Sequence, residues 1–149
     1  MKEVPAESLH AVILLALAVG LLFSIWSGYE TVTGSTGSCT VNSFVSCGAV
    51  RNSGYTSAFG IPYWAAGVAG FVVMLAIDIP LYLTWRPTLL YALLGLSVLG
   101  LALSLYFVYL ELAVIGAICP VCTGAHVANV AVLAAALMLV RRARSADEE

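Results

Sequence analysis

The sequence predicts an all-α membrane protein: a four-transmembrane-helix bundle with a long extracytoplasmic loop, carrying a short amphipathic helix, between helices 1 and 2. Three observations predict it. First, hydrophobic residues make up 62% of the 149-residue chain and charged residues only 9%, against about 25% charged in soluble domains. With a mean hydropathy of +1.02, too little polar surface exists to cover a soluble core. Second, four apolar stretches each approach the roughly 20 residues that a helix needs to cross a bilayer. Third, the basic residues fall at alternate connections between those stretches. The net charge of -2 argues against a nucleic-acid partner, and the length fits one integral membrane domain over 1–149.

The expected helices run over about 9–27, 61–83, 88–110 and 119–140, with an outer loop over 28–60. The first is free of formal charge from Leu9 to Trp26. It exceeds the roughly 7–15 residues of a signal-peptide core, and Trp26-Ser27-Gly28 is a poor cleavage site, so it reads as a retained helix. The second begins near Ile61 and stays uncharged to Ile77. Asp78 and Pro80 lie near its end, Asp78 reading as an interfacial partner of Arg86, while Ala66, Gly67 and Gly70 suit close helix packing. The third runs from Leu89 to Leu110, with Glu111 marking its end. The fourth, Cys119 to Val140, reaches roughly 33 Å at about 1.5 Å per residue. Trp26, Tyr29 and Trp85 read as interface aromatics.

Lys2, Arg86, Arg141, Arg142 and Arg144 fall on one side of such a bundle, and only Arg51 falls on the other. The positive-inside rule then makes both termini cytoplasmic. All four cysteines come to the extracytoplasmic side, where disulfides persist. In Cys119-Pro120-Val121-Cys122 the proline suits the first helical turn. Cys119 becomes an N-cap and Cys122 lies near the third position, both at the positive end of the helix dipole, which favours the thiolate. The pair reads as a redox-active disulfide, or as an inert staple of the helix start. Cys39 and Cys47 lie among Gly34, Gly37 and Gly48. They read as a shuttle pair or as a structural loop disulfide, and Val41, Phe44 and Val45 recur at the spacing of a surface helix. Zinc fits one pair's spacing and not the other's, so no metal is expected. His10 and His126 belong to opposite faces.

With these features assembled, the chain resembles the vitamin K epoxide reductase family in its prokaryotic single-domain form. The resemblance rests on four helices, a C-x7-C in a long first outer loop, Ser53 six residues after Cys47, Phe59-Gly60-Ile61-Pro62 leading into helix 2, and a C-x-x-C opening helix 4. In the DsbB family the C-x-x-C instead precedes helix 2. The resemblance implies that Cys122 is nearest a quinone of the ubiquinone, menaquinone or vitamin K type, with Cys119 its disulfide partner. It further implies that Cys47 attacks Cys119 and that Cys39 meets a separate thioredoxin-like (DsbA-like) protein. The implied function is a quinone-linked thiol oxidoreductase that supports disulfide formation. The quinone-contact candidates are Ser53, Thr56, Phe59, Tyr63 and His126. Some members carry an asparagine where this chain has Thr56 and a tyrosine where it has His126. Both substitutes can donate or accept a hydrogen bond, and the departure weakens the case for vitamin K epoxide as substrate. Two alternatives stand beside this function: quinone or vitamin K epoxide reduction as the main role, and a non-enzymatic scaffold stapled by disulfides.

Overall fold

The computed structural model describes residues 5–35, 39–58 and 60–147. Helix α1, Ala6–Thr33, ends at Gly34, whose φ of 67° provides the left-handed cap. A five-residue helix α2, Cys47–Arg51, follows in the loop. Strands β1, Ser57–Ala58, and β2, Ile61–Pro62, pair antiparallel as a small hairpin. Gly60 turns it with a φ of 80°, a conformation that side chains with a Cβ rarely adopt. Helix α3, Tyr63–Thr84, starts directly after Pro62. Helix α4, Pro87–Tyr109, opens on a proline whose missing N–H would have no partner there. It continues without a break into a π-helical turn, Leu110–Ile115, stopped by Gly116 at φ 72°. Helix α5, Pro120–Asp147, is the last described element.

Among the described residues, four helical stretches are long and apolar enough to span a membrane, and the protein is an all-α four-helix membrane protein. Helix α1 packs on α3 and α5, and α4 packs on the same two. The ring closes around Ile13, Leu17, Leu93, Val132 and Ala136, all wholly buried. Outward-facing Leu15, Leu22, Leu83 and Leu105 stay exposed, as expected where lipid rather than water is the solvent. Trp26, Tyr29 and Trp85 are likewise at least half exposed. Of the small residues expected at helix contacts, Gly67 fills the role, because a Cβ there would lie 2.8 Å from Ser24 Oγ. Gly70 does not: no atom of a neighbouring described helix lies within 4 Å of the place a Cβ would take, and the residue borders a cavity.

Two further expectations are corrected. Val41, Phe44 and Val45 do not form a helix. Asn42 Oδ1 accepts hydrogen bonds from the N–H groups of Phe44 (2.9 Å) and Val45 (2.7 Å), a local turn that competes with helix. The loop helix lies just downstream, as α2. Asp78 does not pair with Arg86. It is fully buried, and its Oδ1 lies 3.0 Å from Nδ1 of the equally buried His10. The rings of Tyr82 and Trp85 stand edge-on to that imidazole, at centroid distances of 5.3 and 5.5 Å.

Candidate functional site

The cysteines meet at the opposite end of the bundle from His10. Cys119 occupies the N-cap of α5: its carbonyl accepts from Thr123 N at 2.9 Å, and its Sγ from Cys122 N at 3.2 Å. Cys47 is the first residue of α2, capped by Ser46 Oγ, which accepts from Ala49 N at 3.1 Å. The chain just before each cysteine joins the other. Ile118 N donates to Phe44 O at 2.7 Å and Ser46 N to Ile118 O at 3.0 Å, forming a one-rung parallel bridge between Val45 and Ile118. The bridge sets the spacing of the sulfurs. Cys39 is bonded to Cys47 and Cys119 to Cys122, and Cys47 Sγ lies 3.3 Å from Cys119 Sγ. Both of these inner cysteines are buried.

The far end of α2 is pinned as well. Arg51 Nη2 lies 2.6 Å from Oε2 of the buried Glu30 on α1, and Nη1 donates to Ser35 O at 2.9 Å. A buried guanidinium–carboxylate pair holds its partners in one geometry, because leaving either charge alone is costly.

A cavity of about 350 Å³ opens beneath the sulfurs, with Cys47, Cys119 and Cys122 in its wall. Tyr63, Trp64 and Phe107 give it an aromatic lining. Tyr63 meets Phe107 edge-on, and the His126 ring lies nearly parallel to Phe107 at a centroid distance of 6.1 Å. Of the expected quinone contacts, Thr56, Tyr63 and His126 line the cavity. Thr56 also accepts from Tyr63 N at 3.0 Å through its carbonyl. Ser53 is not among the lining residues: its hydroxyl donates to Val50 O at 2.7 Å and accepts from Tyr55 N at 3.3 Å, so it stabilises the turn after α2. Phe59 lies outside the described residues. His126 does not pair with Asn129, whose Nδ2 donates to Ser97 O at 3.1 Å. Nε2 of His126 is buried with no partner among the described residues, and so is Oδ1 of Asn129.

Glu111, read from the sequence as the end of the third helix, lies instead within its π-helical continuation. It is buried in the π-helical turn, borders the same cavity, and its Oε2 accepts from Cys119 N at 3.3 Å. The available signal was an acidic residue in an apolar run, eight positions before a cysteine pair. Glu111, Cys119 and Cys122 bring one donor atom each to within 4.8 Å of one another. While the two sulfurs are bonded together, they offer no thiolate to a metal.

Chemically, two disulfides stand end to end beside an apolar chamber, with one sulfur of each in contact. Thiol–disulfide exchange requires such an approach of one sulfur to another. No curated protein matches the chain at the significance required. A comparison with protein-family models matches residues 11–137 to the vitamin K epoxide reductase family. With that match over most of its length, the chain belongs to the vitamin K epoxide reductase family, oxidoreductases of the membrane whose disulfide chemistry is linked to quinones.

Proposed function

We propose that this protein is a quinone-linked thiol oxidoreductase that carries electrons from a separate thioredoxin-like (DsbA-like) protein to a membrane quinone, supporting disulfide formation outside the cytoplasm. The observation that carries the reading is the 3.3 Å approach of Cys47 Sγ to Cys119 Sγ at the mouth of the cavity. The partner dithiol reduces Cys39–Cys47, with Cys39 the sulfur it meets. Cys47 Sγ then attacks Cys119 Sγ, the Cys119–Cys122 bond breaks, and its electron pair leaves on Cys122 Sγ. Attack of Cys39 on Cys47 restores the first disulfide and leaves both helix cysteines reduced.

The chamber suits a quinone ring. It is mainly apolar and aromatic and holds few polar groups, the usual character of a site for a flat organic ligand. The unpartnered His126 Nε2 supplies a hydrogen-bonding atom at its edge. When bound, a quinone supplies an acceptor for two electrons and two protons. Tyr63 and Phe107 would hold it, Thr56 and His126 would offer it hydrogen-bonding groups, and Cys122 would be the cysteine nearest it. The cysteine end is read as extracytoplasmic, because five of the six basic residues belong to the other end.

The test is quinone absorbance followed in purified protein with a reduced thioredoxin-like protein and a short-chain ubiquinone or menaquinone analogue. Wild type reduces the quinone and Cys122→Ala does not. Equal rates from the two proteins sink the reading.

A further inference from the structure

We propose that Glu111 is the acid–base group of the Cys119–Cys122 pair, carrying one proton to and from its sulfurs each time the disulfide opens and closes. The inference rests on the proposed thiol-exchange function and deepens it. Three observations support it. A carboxylate oxygen of Glu111 lies within 4.8 Å of both Sγ atoms, one small motion from a proton transfer. Its Oε2 is already tethered to the pair through Cys119 N. The side chain also borders the cavity that the sulfurs share, and no Lys or Arg is paired with it among the described residues, so no cation competes for the carboxylate.

Local structure explains why the carboxyl stands there. A regular α-helix beyond Tyr109 would rotate position 111 by the usual 100° per residue. The π-helical turn Leu110–Ile115 widens the helix instead, and Ala117 N closes back onto Glu111 O at 3.0 Å. Such π-turns are frequent at functional sites.

The exchange balances with one carboxyl. On opening, a bond forms between Cys47 Sγ and Cys119 Sγ while the Cys119–Cys122 bond breaks. The electron pair leaves on Cys122 Sγ, and Glu111 gives that sulfur its proton. On closing, Glu111 takes a thiol proton back as the sulfur–sulfur bond re-forms. As that bond re-forms its two electrons pass to the quinone-class acceptor, whose two protons come from solvent, which received two when Cys47 and Cys39 ionised for their attacks, and Glu111 ends the cycle protonated as it began. The other titratable or charged groups around this cavity are Cys47, Arg51, Tyr55, Tyr63 and His126, and Arg51 is held by Glu30.

Glu111→Gln separates acid–base chemistry from structure, because the amide oxygen can still accept from Cys119 N. The first readout needs neither quinone nor partner: the pH dependence of iodoacetamide alkylation of Cys119 and Cys122 in fully reduced protein, followed by mass spectrometry. The glutamine variant is expected to move the inflection to lower pH, since a carboxylate beside a thiolate is a like-charge pair. The second readout is quinone reduction by the reduced partner. Glu111→Gln is expected to slow it about 10²-fold and to flatten its pH profile, as loss of a general acid–base group does, while Glu111→Asp recovers most of the rate. An unshifted alkylation profile in Glu111→Gln overturns the proposal, as does an unshifted profile in Glu111→Ala should the glutamine variant fail to fold. A wild type that reduces no quinone, yet shows the shift against Glu111→Gln, overturns the oxidoreductase reading and leaves the proton exchange standing.

Discussion

At the scale of single residues, the site depends on which sulfur touches which. Cys47→Ser is expected to leave Cys119–Cys122 oxidised in the presence of reduced partner, because the sulfur 3.3 Å from Cys119 is gone. Counting thiols by alkylation and mass spectrometry reads this directly; reduction of the helix pair at the wild-type rate refutes it. His126 offers a second test. Its buried Nε2 has no protein partner, and a hydrogen bond to a ligand is worth roughly 1 kcal/mol. His126→Ala should therefore raise the KM for quinone between about fivefold and tenfold and leave thiol exchange between the two cysteine pairs unchanged. A change in exchange rate with an unaltered KM contradicts that role.

At the scale of elements, charges that are far apart in sequence hold the short pieces to the long helices. Arg51→Ala leaves Glu30 buried without its partner. The expected cost is about 3–5 kcal/mol of stability, read as a lowered Tm in detergent. Replacing both residues by leucine should recover most of it, and a double variant as unstable as the single one refutes the explanation. The four long helices were legible in the sequence because lipid-facing runs reveal themselves by length and hydropathy alone. The cysteine N-cap of α5 was legible too, from the proline that follows it. What escaped was whatever depends on approach in space. Glu30 with Arg51 and His10 with Asp78 are pairs formed across helices, 21 and 68 positions apart. Apart from Glu111 the π-helical turn is as apolar as the α-helix it extends, and no residue type marks the change of helix. The spacing of Val41, Phe44 and Val45 imitates a helix, but Asn42 captures the backbone first.

At the scale of the whole molecule, the two ends of the bundle carry different chemistry. The cysteine end holds the cavity, and the other end is knit by His10 and Asp78, each with one ring or carboxylate atom unsatisfied among the described residues. Asp78→Ala should lower stability by about 1.5–3 kcal/mol, the range for hydrogen bonds to charged groups, while quinone reduction per folded molecule stays at the wild-type rate. Lost activity at full stability reverses the assignment. Sidedness is tested with a membrane-impermeant maleimide on intact cells. A cysteine introduced at Arg144 should label only after the cells are opened, and one introduced at Tyr55 should label before.

The bridge between Val45 and Ile118 has a consequence for how such a molecule works. Two backbone hydrogen bonds close the gap between the disulfides, and neither belongs to a long helix. The packing of the four long helices on one another does not run through them. On the proposed electron path, the contact between Cys47 and Cys119 hangs on this one rung, like a switch blade held by a single clip.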